Sequence, residues 1–222
     1  GPGNATGCTP GEDRNANGAV DGTGAAAETN PNDDDTDGDN LTDGAEELTH
    51  GSDPLTTDTD GDGLRDDLEL GALTSMLDTD SDDDGLSDSE ESLNNLGIAS
   101  NPDSDGDGLN DGLERGRTTG RPSGVSSVRG IPYTGTAASW TPDSQPSTTT
   151  GVFTADTDDD GLCDGPGTVP GECQRGEDTN ANGRQDQTGA NQETNPNDND
   201  SDNDNALDGA EVLTLGSDPL DS

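Results

Sequence analysis

The chain has few of the residues from which a hydrophobic core is built. Of its 222 residues, 22% are hydrophobic and 1% are aromatic, with one Trp, one Tyr and one Phe. Fixing the backbone of a residue costs roughly 1 to 2 kcal/mol of conformational entropy, which burial of apolar surface normally offsets. A chain of this composition is therefore expected to be disordered unless another interaction orders it.

The chain also has little positive charge. It contains 51 acidic residues, eight Arg and no Lys, which gives a formal net charge of −43. Nucleic acids and anionic membrane surfaces would be repelled, and no segment approaches the 18 or so apolar residues of a membrane span. We therefore expect no nucleic-acid partner and no membrane insertion. A bound cation is instead expected to be the interaction that orders the chain.

Acidic residues recur in a fixed pattern every 22 or 23 residues. The clearest copy is DTDGDGLRDDLE at 58–69. Calcium requires six to eight oxygen ligands, and a twelve-residue loop supplies them from positions 1, 3, 5, 9 and 12 and from the carbonyl of position 7, with a sharp turn at position 6. In this copy the turn residue is Gly63. The pattern predicts a calcium-binding loop, and we name each loop by its first residue.

Five loops are complete in this sense, and loop 200 has Ala at position 7 where the others have Leu. Their predicted ligands are Asp35, Asp37, Asp39, Leu41, Asp43 and Glu46; Asp58, Asp60, Asp62, Leu64, Asp66 and Glu69; Asp80, Asp82, Asp84, Leu86, Asp88 and Glu91; Asp103, Asp105, Asp107, Leu109, Asp111 and Glu114; and Asp200, Asp202, Asp204, Ala206, Asp208 and Glu211.

Three further loops are partial. Their predicted ligands are Asp156, Asp158, Asp160, Leu162 and Asp164; Asp13, Asn15, Asn17 and Asp21; and Asp178, Asn180, Asn182 and Asp186. Loop 156 has Gly167 at position 12, and in the two Asn-bearing loops Glu28 and Glu193 are the nearby substitutes. Neutral amide ligands predict weaker sites. We expect about eight or more Ca²⁺ ions, since neighbouring carboxylates such as Asp33 and Asp83 could support others.

The motif DTDGDGLRDDLE preceded by GSDPLTT, with its relatives DSDGDGLNDGLE and DTDDDGLCDG, resembles the bacterial thrombospondin type 3 repeat. The resemblance covers about four fifths of the chain. It implies an elongated, solenoid-like rod of tandem calcium-stabilised loops with few regular secondary structures, found in secreted and cell-surface proteins as stalks, spacers and adhesin segments. It also implies that the acidic positions bind calcium.

An EF-hand or dockerin is the nearest alternative, because its loop has the same length. Those loops have their hydrophobic residue at position 8 and continue into a helix, whereas Leu64, Leu86 and Leu109 stand at position 7. After Glu46 only ELTH precedes Gly51, so we expect a single helical turn there.

A longer repeat contains the loops. Residues 8–57 align without gaps with 173–222, and 33 of the 50 pairs are identical. Cys8 aligns with Cys173, and we expect Cys163 and Cys173 to form a disulfide around a Pro/Gly loop, which would indicate an oxidising, extracellular compartment. Cys8 would then pair with a residue preceding this sequence, pair between subunits or be free.

Nothing in the sequence indicates an enzyme. The single histidine, His50, is replaced by Leu215 in the second copy. A carboxylic acid with a catalytically raised pKa needs an apolar pocket, which this composition does not provide. We therefore expect no catalytic function.

Residues 116–154 interrupt the loops with a segment that is rich in Arg, Ser and Thr and contains all three aromatics. GVSSVRGIPY and TTTGVFTA favour β-structure, so a small hairpin or extended pair is expected. The segment either packs on its own chain or forms an assembly contact through Arg117, Tyr133, Trp140 and Phe153. Ser147–Thr150 and the sequons at Asn4, Asn40 and Asn199 are candidate glycan sites.

The sequence thus predicts a first calcium-binding array over 1–115 with four complete loops, the insertion at 116–154, and a second array over 155–222 with three further loops and the Cys–Cys loop. The predicted function is an extracellular or cell-surface calcium-binding structural protein. It is either a self-assembling filament or a rigid stalk of an adhesin.

Overall fold

A computed structural model describes residues 22, 24, 27–187 and 192–221 of the chain. Within these ranges the helices are short, and each begins at position 9 of an acidic loop. They are α1 (Asp43–Ala45), which a π-helical turn (Glu46–His50) continues, α2 (Asp66–Ala72), α3 (Asp88–Asn94), α4 (Asp111–Glu114), and α5 (Asp208–Ala210), which a second π-helical turn (Glu211–Leu215) continues. Most other described residues lie in turns and bends. The prediction of few regular secondary structures is confirmed.

The single turn expected after Glu46 is present as the π-helical turn Glu46–His50, and helical structure begins before it, at Asp43. An aspartate at the first helical position interacts favourably with the positive end of the helix dipole. The helical segment ends at Gly51, which has a φ of 79° and donates its N–H to the carbonyl of Glu46 at 2.6 Å.

The insertion forms the small β-structure that was predicted. Strands β1 (Gly124–Val125) and β2 (Pro132–Tyr133) pair antiparallel, with Gly124 opposite Tyr133. A Cβ atom at Gly124 would lie 2.5 Å from the Tyr133 hydroxyl, so only glycine leaves room for this ring. The hairpin comes from GVSSVRGIPY, while in TTTGVFTA the structure has an isolated bridge between Gly151 and Thr154.

The chain divides into two compact units. The first consists of the described residues of Gly1–Ser81 with Ser87–Asn94 and Arg121–Thr136, and the second of Asp82–Leu86, Asn95–Gly120 and the described residues of Ala137–Ser222. The insertion therefore contributes its hairpin to one unit and its remaining half to the other.

The most deeply buried large apolar side chains of the described residues come from one position of the loops. Leu64 in the first unit, and Leu86, Leu109 and Leu162 in the second, all stand at position 7 and are 0 to 4% exposed. The residue whose carbonyl is a predicted ligand thus also supplies the local core.

Candidate metal centres

The carboxylate at position 1 closes loops 35, 58, 103, 156, 178 and 200 onto their own backbone. In loop 58, Asp58 accepts hydrogen bonds from the N–H groups of Gly61 at 2.7 Å and Gly63 at 3.1 Å. Both glycines have positive φ, 76° and 105°. The turn at position 6 was predicted, whereas the second one at position 4 was not. Other loops have residues at position 4 that tolerate this conformation, such as Asp159 and Asn203.

In several loops the carboxylate at position 5 accepts a hydrogen bond from another loop. Asp62 accepts hydrogen bonds from Leu64 of its own loop at 2.6 Å and from the backbone N–H of Ser89, in loop 80, at 2.8 Å. Asp160 does the same with Leu162 at 2.7 Å and with Gly209 of loop 200 at 2.7 Å. Ser89 and Gly209 both stand at position 10. This connection between loops was not predicted.

The carboxylate at position 9 is held by the Ser or Thr at position 2. Asp66 accepts hydrogen bonds from the N–H of Thr59 at 2.9 Å and from its hydroxyl at 2.7 Å. The N–H bond recurs in the pairs Thr36–Asp43, Ser81–Asp88, Ser104–Asp111, Thr157–Asp164 and Ser201–Asp208. Carboxylate oxygens carry further lone pairs, so these bonds leave capacity to bind a cation.

The glutamate at position 12 is buried in every complete loop. Glu46, Glu69, Glu91, Glu114 and Glu211 are 0 to 3% exposed. Neither carboxylate oxygen of Glu69 has a hydrogen-bond partner. Burial, and then the neighbouring carboxylates of Asp60 and Asp66, raise the pKa of Glu69 to about 10. A buried carboxylate without a donor is strongly unfavourable unless a cation accompanies it.

Carboxylates from these positions converge on groups that fit a metal ion. Asp58, Asp60 and Asp62 bring one oxygen each within 4.8 Å of the others, as do Asp35, Asp37 and Asp39 of loop 35. An all-oxygen donor set of this kind suits a hard cation such as Ca²⁺. The residues present therefore fit the predicted ion.

A second kind of group joins two loops. Asp39 and Glu46 of loop 35 meet Asp66 of loop 58, with one oxygen of each within 4.8 Å, and all three side chains are buried. The twelve-residue template had placed Asp66 with its own loop. In the structure the Asp66 carboxylate lies where it could bind an ion held by the preceding loop, loop 35.

The remaining complete loops repeat these features. Loop 103 has Asp107, Asp111 and Glu114 fully buried, and burial raises the pKa of Glu114 to about 10. In loop 80, Asp80, Asp84, Asp88 and Glu91 are buried, and Asp82 is half-buried. Loop 200 differs, because Asp204 at position 5 is exposed.

The Asn-bearing loop 178 is less regular. In loop 178, Glu193 accepts hydrogen bonds from the N–H and the hydroxyl of Thr179, both at 2.9 Å. The position-9 aspartate makes this contact in the other loops. Glu193 therefore takes the place of position 9, whereas it had been expected to take the place of position 12. Asp186 at position 9 instead pairs with Arg184 at 3.4 Å. The predicted ligands Asp13, Asn15, Asn17 and Asp21 lie outside the described residues.

The insertion packs on its own chain at several points. Arg129 is buried and pairs with Glu47 in the first unit. The Trp140 indole lies against Gly85 in the second unit, where a Cβ would be 2.5 Å from its ring. Tyr133 and Arg117 are half-buried, whereas Phe153 is 46% exposed. The assembly contact through these aromatics and Arg117 stays a prediction.

The predicted disulfide between Cys163 and Cys173 is present, with a Cα–Cα distance of 5.1 Å. It encloses a turn that brings Glu177 to loop 156. Glu177 is 1% exposed, and burial, with smaller effects from Asp158 and Asp160, raises its pKa to about 9. Glu177 was not predicted as a ligand, because it lies well beyond the twelve residues of loop 156. Cys8 is outside the described residues.

Four segments of the chain match the family described as the bacterial TSP3 repeat: residues 35–57, 58–72, 103–115 and 200–222. The resemblance to the bacterial TSP3 repeat is confirmed in these four segments, and this family is one of structural calcium-binding repeats. No curated protein and no solved structure matches the chain.

Replacement of Glu69 by Gln is expected to remove one calcium site selectively. The amide keeps the size of the side chain but lacks the charge that tunes calcium affinity, so the affinity of this site should fall about tenfold or more. Isothermal titration calorimetry would measure the loss. The control is Glu172→Gln, the same change at an exposed carboxylate. Equal calcium binding by both variants would contradict the assignment of Glu69.

Proposed function

We propose that the TSP3 loops of this chain fold around about eight or more Ca²⁺ ions and that the protein is an extracellular structural element. The observation that carries this proposal is the buried carboxylate of Glu69, whose oxygens have no hydrogen-bond partner. Burial of such a carboxylate costs free energy unless the carboxylate binds a cation. The measurement that tests the proposal is the calcium titration of Glu69→Gln.

The extracellular location is supported by two observations. TSP3 repeat proteins are extracellular, and the Cys163–Cys173 disulfide is stable in an oxidising compartment. Extracellular modules of this kind bind calcium at about 10⁻⁴ to 10⁻³ M, which matches the calcium available outside cells. In the described part of the chain, no helix is both long and apolar enough to cross a membrane.

Within this role we propose that the chain forms a self-assembling filament. The 165-residue offset between 8–57 and 173–222 indicates a unit that can be repeated. Loop 200 supports the idea, because Asp204 is exposed while its counterparts Asp39, Asp84, Asp107 and Asp160 are buried. An exposed position-5 carboxylate can accept the position-10 N–H of a further loop. Phe153 of the insertion is an exposed apolar side chain for the same contact.

A stalk that holds an adhesin away from the cell surface is the alternative, and the resemblance to TSP3 repeats favours it. A stalk needs calcium-dependent rigidity but no contact between copies. Phe153 and the partly buried Arg117, Tyr133 and Trp140 would then serve only to pack the insertion. Sugars on Asn or on Ser and Thr would be compatible with either role.

Electron microscopy in millimolar calcium separates the two functions. We expect filaments of uniform diameter for the wild-type chain, and Phe153→Asp should abolish them while its calcium content stays unchanged, because a charge cannot enter an apolar contact without a large desolvation penalty. The control is Val125→Asp, an equally apolar and exposed position in the insertion. Single rods for the wild type would support the stalk and contradict the filament.

A further inference from the structure

Loop 156 lacks a side chain at its twelfth position, and the fold explains why. Gly167 lies against the backbone of Asp107, whose carbonyl accepts the Gly167 N–H. A Cβ atom at Gly167 would overlap with this carbonyl oxygen. The position that carries the glutamate in the complete loops is therefore occupied by a backbone contact, and no side chain can be placed there.

The disulfide-closed turn that follows returns the chain to the same loop. Residues 174–178 run parallel to residues 161–164. Gln174 donates to the carbonyl of Gly161 at 2.9 Å, Glu177 to that of Cys163 at 2.8 Å, and Asp178 to that of Asp164 at 2.9 Å. The Cys163–Cys173 disulfide joins the two segments at one end of this pairing. The register of residue 177 against loop 156 is thus fixed by backbone bonds and a covalent link.

This register places Glu177 against the loop, with its side chain buried. It is 1% exposed, and neither of its carboxylate oxygens accepts a hydrogen bond of normal geometry, although the nearby Thr194 hydroxyl lowers its pKa against the effect of burial. Its charged neighbours are Asp158, Asp160 and Asp164, which occupy positions 3, 5 and 9 of loop 156. Glu69 has the same combination of burial, unpartnered oxygens and neighbours at positions 3, 5 and 9 in loop 58.

We propose that Glu177 is the glutamate ligand that completes a calcium site in loop 156, and that the Cys163–Cys173 disulfide positions it. This proposal rests on the proposed calcium-binding function. It adds the missing glutamate to a loop that lies outside the matched TSP3 segments, since these end at residue 115 and resume at residue 200. The ligand is a hard divalent cation, and its glutamate comes from beyond the twelve-residue loop.

The first test compares Glu177→Gln with Glu172→Gln, which lies inside the disulfide-closed turn and is exposed. Equilibrium dialysis with calcium should show about one ion fewer for Glu177→Gln and the wild-type number for Glu172→Gln. Hydrogen exchange in calcium should accelerate at least about tenfold at the amides of 156–164 and stay unchanged at 58–66, because only one centre loses its ligand.

The second test removes the disulfide with the double variant Cys163→Ala and Cys173→Ala. We expect the same single-ion loss and the same local increase in exchange. If the double variant retains the full calcium number, the disulfide does not position the ligand. Because Glu177→Gln keeps the disulfide, it remains a test of the site even if the double variant fails to fold.

Glu69→Gln distinguishes the possible failures. If Glu69→Gln loses one ion while Glu177→Gln loses none, the site in loop 156 is refuted and the proposed function stands. If neither variant loses an ion, the proposed function is itself refuted. A loss in both variants, with unchanged exchange at 58–66 in Glu177→Gln, supports both proposals.

Discussion

Removal of calcium at neutral pH is expected to unfold the protein. The chain carries a net charge of −43 and buries the glutamates of its complete loops. Without cations, these carboxylates would repel one another in a low-dielectric surrounding. A site held at about ten times its dissociation constant contributes roughly 1.4 kcal/mol, so several sites together account for stability on the scale of a whole domain, about 5 to 15 kcal/mol.

Small-angle scattering and Trp140 fluorescence would follow this transition. The radius of gyration should rise towards roughly 50 Å, the value for an unfolded chain of this length. The emission of Trp140 should shift towards that of a solvated indole, since its ring leaves the contact with Gly85. Secondary-structure signals are less suitable because the helices are short.

Two controls separate specific binding from screening of charge. Sodium chloride should not restore the fold, because it screens exposed charges far better than buried ones. Magnesium should restore it poorly, since it is smaller, demands near-ideal octahedral geometry and dehydrates reluctantly. A chelated protein that keeps its scattering profile and emission would contradict calcium-dependent folding.

Gly112→Ala is expected to destabilise the protein by about 3 kcal/mol or more, at the upper end of overpacking effects. Gly112 stands at position 10 of loop 103 and donates its N–H to Asp84 at 2.9 Å. A Cβ atom there would overlap with the carbonyl oxygen of Asp84. This contact is between backbone segments, so no side-chain rotation can relieve it. The alanine would therefore separate the two segments that meet at Asp84.

The matched control is Gly71→Ala in α2. A Cβ atom at Gly71 has no other atom within 4 Å, and alanine in a helix is about 0.5 to 1 kcal/mol more favourable than glycine. Urea unfolding in saturating calcium should show lower stability for Gly112→Ala and equal or higher stability for Gly71→Ala. Gly209→Ala, which would overlap with the carbonyl of Asp160, should behave like Gly112→Ala. Similar midpoints for Gly112→Ala and Gly71→Ala would refute the close contact.

Much of the candidate centres in the described residues was predictable, because the carboxylates of one loop are close in sequence. Asp58, Asp60 and Asp62 converge within one turn of backbone, so their spacing alone indicates a cation site. The disulfide was predictable for the same reason, since its cysteines are ten residues apart. The start of each helix at position 9 was not predicted, because a hydrogen-bonding role for that position is not visible in a ligand template.

Contacts between loops were not predictable in this way. Asp160 is joined to Gly209, 49 residues later, although loop 178 lies between them in the sequence. Loop 178 instead contacts the insertion, where the Thr148 hydroxyl donates to the carbonyl of Gly183 at 3.0 Å. Glycine at position 10 of loops 35, 103, 156 and 200 was a signal of close backbone approach, but it does not identify the partner.

The sequence by itself determined the chemistry: carboxylates at fixed spacing, glycine or a similarly tolerant residue at the turns, and too few apolar residues for a core without cations. Tertiary structure decided which loops meet, and it brought Glu177 to loop 156 and Asp66 to Asp39 and Glu46. The physical reason is that ligand spacing within a loop is set by local backbone geometry. Pairing between loops depends on hydrogen bonds from backbone N–H groups to carboxylates far away in the sequence, which any acidic loop of this kind could form equally well.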